Sequence, residues 1–217
     1  MSAADELVLY GYWRSSAAYR VRLALAWKRL AYQSIPIDLR TGAQSDEGYR
    51  ALNPQGLVPL MISEGAAIMQ SLAIIEYLEE THPEPALLPA DALGRARVRA
   101  AAQMVASDIH PVNNLRVLRY LRDSLGQSQA AVDDWARHWI VTGLTALEAF
   151  AAAYGGRFLY GDSVSLADLC LVPQMYNARR VETDLSAFPR LCENDAGLAA
   201  APFVLAAHPD AQVDKPS

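Results

Sequence analysis

Two adjacent serines, Ser15 and Ser16, are the first residues of this sequence whose position suggests chemistry. They separate an apolar, aromatic run at 7–13, which predicts a strand, from residues 19–30, where apolar side chains recur at helical spacing. Free N–H groups and the positive end of the helix dipole meet at such a turn and stabilise an anion. A thiolate bound there would have a lowered pKa. The turn has no cysteine, so a thiol must arrive with a ligand; otherwise the serines only cap the helix.

Two other short motifs suggest a site for a peptide-like ligand. Val58 and Pro59 precede a predicted strand, where the backbone N–H and C=O of Val58 can pair with an extended peptide. Gln70 and Ser71 stand at the start of a predicted helix and can bind the carboxylate and amine of an amino acid. Each motif also has a purely structural interpretation, as an ordinary X–Pro step and as a helix cap.

The elements predicted for the first third of the chain bring these motifs together. Strand, helix and strand signals are followed by a polar loop at 40–53, a hairpin at 58–69 and a helix that begins at Ser71. The order βαβ–loop–ββα is typical of a thioredoxin-like α/β domain, in which the three motifs line one edge. We therefore predict such a domain over residues 1–83.

A linker follows, marked by Pro83, Pro85 and Pro89. Beyond it the sequence predicts only helices, over 91–124, 129–154, 166–180 and 189–207. The last ten residues are rich in Pro, Asp and Lys and predict a frayed tail. We therefore predict an all-α C-terminal domain over residues 90–217.

Polar side chains interrupt the apolar pattern of this second domain near residue 110. Pro111 predicts a kink next to His110. The polar residues that follow are Asn113, Asn114, Arg116 and Arg119. They form either the wall of a cleft or a solvated helix face, and we assign ligand binding rather than proton transfer to His110.

Polar residues at both ends of the predicted helix 166–180 have structural explanations. Ser165 and Asp168 have the spacing of a capping box, for which we predict a structural role. Arg179 and Arg180, at the other end, either compensate the helix dipole or form an anion site.

Composition and charge exclude several classes of function. About half of the 217 residues are hydrophobic, which predicts a folded chain. The net charge is −5, so the chain is a poor candidate for binding nucleic acid or an anionic membrane. Every basic residue except Lys28 and Lys215 is arginine, which suits carboxylate recognition but also follows from a GC-rich genome.

Location and metal content follow from a few residues. No apolar run is long enough to span a membrane, and Asp5 and Glu6 stand where a secretory signal would be positively charged, so we expect a cytoplasmic protein. Cys170 and Cys192, like the four histidines, lack metal-ligand spacing. We predict two buried free thiols and no metal site.

Taken together, these motifs resemble the zeta class of glutathione transferases, which includes maleylacetoacetate and maleylpyruvate isomerases. The resemblance extends from about residue 7 to residue 208 through the segments WRSSAAYRVRLAL, ALNPQGLVPL, QSLAIIEYLEE, LLPAD, DIHPVNNLRVLRYL and DSVSLADLCLVPQMYNARR. It implies the glutathione transferase fold, with a thioredoxin-like domain that binds glutathione and an all-α domain that binds the substrate. It also implies a homodimer.

The resemblance implies a role for each candidate residue. The hydroxyl of Ser15 would donate to the glutathione thiolate, with Ser16 as a second catalytic residue in the same turn. The glutathione ligands would be Ser15, Gln44, Val58, a cis Pro59, Gln70, Ser71, His110 and Asn114. The substrate carboxylates would be bound by Arg14, Arg116 and Arg180.

The implied reaction is the cis–trans isomerisation of a small unsaturated dicarboxylate. The thiolate adds to the cis double bond, the resulting single bond rotates, and elimination regenerates glutathione. Maleylacetoacetate, from aromatic amino-acid breakdown, is the first choice of substrate. The alternatives are maleylpyruvate, dehalogenation of α-halo acids, and a non-catalytic glutathione-binding protein. Ala17 stands where the class usually has cysteine, and we expect this change to affect substrate preference, because the attacking thiol belongs to glutathione.

Overall fold

The computed structural model describes residues 7–216, which form two compact units. The first unit contains the chain up to Ala86 together with the segment that begins at Ala200, and the second unit contains Leu87–Ala199. The sequence predicts a boundary close to Ala86. It assigns the residues after Ala199 to the helical domain, whereas in the structure they pack with the first unit.

The first unit is built on a mixed sheet with strand order β2-β1-β3-β4. Its strands are β1 Leu7–Gly11, β2 Tyr32–Pro36, β3 Leu60–Ser63 and β4 Ala66–Met69. β1 pairs in parallel with β2, and the other two pairings are antiparallel. The helices are α1 Ser16–Trp27, α2 Glu47–Leu52 and α3 Ser71–Thr81, with a 3-10 turn at Ala43–Ser45. This is the predicted βαβ–loop–ββα order, and the thioredoxin-like assignment is confirmed.

The hairpin between β3 and β4 closes through two residues, Glu64 and Gly65. Both have positive φ, 51° and 77°, as in the type I′ turn, whose twist matches that of the flanking strands. Ser63 and Ala66 pair directly across the turn. The turn therefore fixes the register of the hairpin, and with it the level at which β3 begins and β4 ends.

A buried ion pair joins the end of α1 to the end of α3. The Nζ atom of Lys28 lies 2.7 Å from a carboxylate oxygen of Glu79, and the two side chains are 0% and 8% exposed. The same ammonium group donates to the backbone oxygens of His82 and Pro85. All three of its donors are therefore satisfied, and the start of the linker is fixed to α1.

The described residues of the second unit form a helical array. Its helices are α4 Ala92–Gln103, α5 His110–Val112, α6 Leu115–Arg119, α7 Gln129–Tyr154, α8 Leu166–Arg180 and α9 Pro189–Ala199. The prediction of an all-α second domain is confirmed for this part of the chain.

The prediction of helix over 91–124 with a kink next to His110 is confirmed for the irregularity at Pro111, but it misses two π-helical segments. π-helical turns occupy Met104–Ile109 and Tyr120–Ser124, and the chain leaves the helix at Asn113 and Asn114. Pro111 has no N–H to donate. The Asn113 side chain donates to the backbone oxygen of Ile109. Local side-chain bonds thus replace the helical pattern here.

Asp168 ties the start of α8 to the preceding loop. Its carboxylate accepts hydrogen bonds from the N–H and hydroxyl of Ser165 and from the N–H of Leu159, each at 2.8 Å. Burial raises the pKa of Asp168, against the lowering effect of these bonds. The predicted capping box is confirmed, and its full burial agrees with a structural role.

Residues 200–216, here called the C-terminal strap, return to the first unit. The strap contains α10 Pro202–Ala207, which packs against α1, with the rings of Trp27 and Phe203 5.0 Å apart. The predicted helix 189–207 is therefore broken, because Pro202 can begin a helix but cannot continue one.

The predicted frayed tail is also wrong for the described part of the strap. Pro209–Ala211 forms a 3-10 turn, and the Nε2 atom of Gln212 donates to the backbone oxygens of Ala206 and His208. These bonds hold the chain beyond α10 in a defined path.

The structure bears on the expectations about membrane helices and about the two cysteines. None of the helices within residues 7–216 combines the length and apolar character needed to cross a membrane. Asp5 and Glu6 lie outside the described residues. Within the described residues neither Cys170 nor Cys192 forms a disulfide, as predicted; Cys170 is buried, but Cys192 is only half-buried, so the prediction of burial is wrong for Cys192.

Candidate functional site

Three loops of the first unit meet at one edge of its sheet. Tyr10, near the end of β1, pairs with Leu60, the first residue of β3, and Leu60 pairs with Met69, the last residue of β4. The turn after β1, the residues before β3 and the residues after β4 therefore leave the sheet at the same level. The register brings together the three motifs singled out in the sequence.

The turn after β1 presents Ser15 as the N-cap of α1. Its N–H donates to the backbone oxygen of Tyr12 at 2.9 Å, and its Oγ accepts from the N–H of Ala18 at 3.2 Å. Because the oxygen serves as an acceptor for the helix, the hydroxyl proton remains available for an anion. Ser16, the first residue of the helix, is buried. Ser15 is therefore the better placed donor of the two.

Arg14 directly precedes Ser15 in the chain and lies at the surface of the same turn. Its guanidinium stands 5.4 Å from the centre of the Trp13 ring, in a cation–π contact. The side chain is exposed, so it is free to bind a carboxylate.

The second loop presents the backbone of Val58. The peptide bond between Val58 and Pro59 is cis, as the resemblance implies. The preceding carbonyl, of Leu57, accepts from the Tyr49 hydroxyl at 2.6 Å and from the Asn53 amide at 2.7 Å. The backbone N–H and C=O of Val58 have no hydrogen-bond partner among residues 7–216. They have the character required to pair with an extended peptide.

The third loop presents Gln70 and Ser71 at the start of α3. Gln70 has a positive φ of 72°, and its side-chain amide donates to the Gln55 side chain at 2.9 Å. The Oγ of Ser71 accepts from the Arg20 guanidinium at 3.2 Å. The first-turn N–H groups of α3 have no intrahelical acceptor, so this end can bind a carboxylate.

Gln44 lies in the 3-10 turn between β2 and α2. Its Oε1 atom is buried and has no hydrogen-bond partner within the described residues. The neighbouring loop approaches it closely, because a Cβ atom at Gly56 would lie 3.0 Å from the backbone oxygen of Gln44. A buried acceptor without a donor is costly, so Gln44 fits a ligand that brings an N–H group.

Sequence reasoning missed Arg20 and Gln55. Arg20 belongs to α1 and is one of the largest fully buried side chains. Its guanidinium group donates to the hydroxyl of Ser71. The only signal in the sequence is a charged residue on the otherwise apolar face of α1. Gln55 lies in a loop and had no signal.

The other predicted ligands lie in the second unit. His110 begins α5 directly after a π-helical segment and is half-buried. Asn114 caps α6, because its Oδ1 accepts from the N–H of Arg116 at 3.1 Å. Arg116 is exposed, and the guanidinium of exposed Arg180 donates to Asn177 at 2.8 Å.

Arg179 has a partner on another helix. It forms an ion pair with Asp195 at 2.6 Å, and this carboxylate is 10% exposed. Arg179 thus joins α8 to α9. Within residues 7–216 the structure contains no group of three or more side chains able to hold a metal ion.

Comparison with known proteins identifies close relatives over nearly the whole chain. The glutathione S-transferase N-terminal domain family matches residues 9–86. Maleylacetoacetate isomerase of Rhizobium meliloti is 48% identical over 95% of this chain and 98% of that protein. The holo structure of a bacterial zeta-class maleylpyruvate isomerase has a TM-score of 0.94 at 44% identity, over 96% of this chain and 100% of that one. Maleylacetoacetate isomerase of Anaeromyxobacter dehalogenans, with dicarboxyethyl glutathione and citrate in its active site, has a TM-score of 0.88 at 46% identity, over 99% and 96% of the two chains.

Proposed function

Because this chain belongs to the zeta class of glutathione transferases, we propose that it is a glutathione-dependent cis–trans isomerase that converts maleylacetoacetate to fumarylacetoacetate. The observation that carries the proposal is the strand register, which brings Ser15, Val58 and Ser71 to one edge of the sheet. Relatives of high identity are named for the isomerisation of maleylacetoacetate and of maleylpyruvate.

Glutathione is the cofactor, and the residues at this edge fit the tripeptide. Its cysteinyl backbone would pair with the unpaired N–H and C=O of Val58, next to Pro59. Its γ-glutamyl end would bind to Gln70 and Ser71, where the buried guanidinium of Arg20 adds positive charge. An N–H group of the ligand would satisfy Oε1 of Gln44.

When bound, glutathione supplies the thiolate that adds reversibly to the cis double bond. The hydroxyl of Ser15 would donate to this sulfur, because its oxygen already accepts from the N–H of Ala18 and its own proton remains available. This hydrogen bond and the positive end of α1 both favour the charged thiol, so both lower its pKa. Ser16 is buried, and we assign it the shaping of the turn rather than direct contact with the sulfur.

The arginines bind the substrate rather than the cofactor. We propose that Arg14, Arg116 and Arg180 bind its carboxylates, each with a forked guanidinium suited to two oxygens. Their positive charge also stabilises the negative charge that spreads toward a carboxylate during isomerisation. His110 and Asn114 remain proposed glutathione ligands.

The direct test is the loss of absorbance of the cis unsaturated dicarboxylate, measured with and without glutathione. We expect turnover only when protein and glutathione are both present, after subtraction of the rate with glutathione alone. A rate that is unchanged when glutathione is omitted would contradict the mechanism.

The substrate is tested by kinetics with maleylacetoacetate and maleylpyruvate side by side. We expect the higher kcat/KM with maleylacetoacetate, on the basis of the Asn113 to Arg116 segment. A higher value with maleylpyruvate would assign the chain to that reaction instead. Formation of glyoxylate from dichloroacetate would report an additional dehalogenase activity permitted by Ala17.

We also propose a cytoplasmic homodimer in which residues 1–83 supply most of the glutathione ligands and the helical unit supplies Arg116 and Arg180 to the substrate. The observation that Cys170 and Cys192 form no disulfide within the described residues supports a reducing compartment. Light scattering should give twice the 23.7 kDa mass of the chain. A monomeric mass at micromolar concentration would contradict the dimer.

A further inference from the structure

The end of the C-terminal strap contacts the turn that carries Arg14 and Ser15. The backbone N–H of Trp13 donates to a carboxylate oxygen of Asp214 at 2.8 Å, although the two residues are 201 positions apart. The residue that precedes Arg14 in the chain is therefore held by the last described part of the strap.

A buried arginine, Arg22, also joins the strap to this turn, by hydrogen bonds to backbone oxygens of both. The guanidinium of Arg22 donates to the backbone oxygens of Trp13 at 2.9 Å and Tyr12 at 3.5 Å. It also donates to the backbone oxygen of Ala207, in the strap, at 3.0 Å. Burial lowers the pKa of Arg22 to about 10, and the charge of Asp214 acts against this shift. Arg22 therefore keeps its charge at neutral pH and joins the strap to the turn.

These bonds fix Trp13 more completely than they fix Ser15. Both the N–H and the C=O of Trp13 are occupied by Asp214 and Arg22. Ser15 is held independently, by its bonds to Tyr12 and Ala18. The Trp13 ring in turn lies under the guanidinium of Arg14. Loss of the strap contact should therefore displace Arg14 while leaving the cap of α1 in place.

We infer that Asp214 is a positioning residue, which holds Arg14 in place for a substrate carboxylate through the backbone and ring of Trp13. The inference rests on the proposed function in one respect, the assignment of Arg14 as a carboxylate ligand. The bond between Asp214 and Trp13 is independent of that assignment.

The test compares Asp214→Ala with Asp214→Asn, which keeps an oxygen able to accept from Trp13, and with Val213→Ala as the control. Val213 is adjacent in the strap and 89% exposed. In Asp214→Ala we expect KM for the dicarboxylate to rise about 3- to 10-fold, the effect of one lost hydrogen bond. Because Ser15 is held separately, kcat and KM for glutathione should stay within about twofold of wild type. Asp214→Asn and Val213→Ala should resemble wild type.

Two readouts do not depend on turnover. Hydrogen exchange at the Trp13 amide should accelerate in Asp214→Ala alone, and malonate, a dicarboxylate that cannot isomerise, should bind this variant more weakly by calorimetry. An unchanged KM with faster exchange at Trp13 would overturn the inference, as would an Asp214→Asn variant no better than Asp214→Ala. A wild-type protein without isomerase activity would instead refute the proposed function, while the exchange experiment would still report on the strap.

Discussion

The chemistry proposed for Ser15 depends on how its hydroxyl is divided between the helix and the ligand. The oxygen accepts from Ala18, as in an ordinary N-cap, and the proton remains for the sulfur. On this proposal one side chain serves two functions, and a substitution to alanine would remove both. A control that loses only the cap is needed to separate them.

Ser128 supplies that control, because its Oγ caps α7 by accepting from the N–H of Ala131 at 3.2 Å, as in α1. We expect Ser15→Ala and Ser128→Ala each to lower the free energy of unfolding by about 1 kcal/mol. Only Ser15→Ala should lower kcat/KM, by about 10- to 100-fold, the value of a hydrogen bond to a charged group.

The pH dependence of Ser15→Ala gives a second measurement. In the wild-type protein the Ser15 hydroxyl would favour the thiolate by donating to it. Its removal should therefore raise the pKa of the bound thiol and shift the rising limb of the pH–rate profile to higher pH. Equal activity losses in the two serine variants would mean that Ser15 acts only as a helix cap.

At the residue scale, the sequence predicts those candidate site residues that belong to local motifs. Ser15, Val58 and Ser71 each stand beside a predicted element boundary, and the register joins them. Arg20 and Asp214 could not be found this way. Their partners are 51 and 201 positions away in the chain, and only the folded backbone brings them together.

At the element scale, close packing explains a feature of the long helix α7. Gly143 lies in its middle, where glycine has a low helix propensity. A Cβ atom at this position would overlap with Cγ1 and Cδ1 of Ile109, the last residue of a π-helical segment. The absence of a side chain therefore lets α7 approach this segment.

Gly143→Ala should consequently destabilise the protein, although alanine favours the helix. We expect overpacking of about 1–3 kcal/mol to exceed a propensity gain of about 1 kcal/mol. Gly197→Ala is the matched control, because Gly197 lies in α9 with open space around its Cα, and we expect it to stabilise by about 0.5–1 kcal/mol. Urea unfolding measures both, and stabilisation by Gly143→Ala would show that Ile109 moves freely.

The π-helical segments also show where element prediction from sequence reaches its limit. Pro111 correctly predicts an irregularity near His110, because proline removes a donor. The position of the break is set by the side chains of Asn113 and Asn114, which bond to nearby backbone. These bonds compete with the helix by small energies, so the sequence predicts an irregularity near Pro111 but not its exact position or extent.

At the scale of the whole molecule, the order of segments along the chain does not match the structural unit to which each segment belongs. The strap follows the second unit in sequence but belongs to the first, because α10 packs on α1. Helical periodicity over 189–207 identified apolar residues without indicating which surface they would cover. The surface is determined by the fold, and Trp27 supplies part of it.

Packing of the strap on α1 should contribute to the stability of the first unit. Phe203 contacts Trp27 edge-to-face and is half-buried, so Phe203→Ala should lower the free energy of unfolding by about 1–3 kcal/mol, less than for a fully buried ring. Leu205→Ala, on the same helix but 55% exposed, should change it by less than about 0.5 kcal/mol. Native-state hydrogen exchange should accelerate in α1 for Phe203→Ala only. If both variants leave exchange in α1 unchanged, α10 contributes nothing to the stability of the first unit, and the strap is a passive extension of the chain.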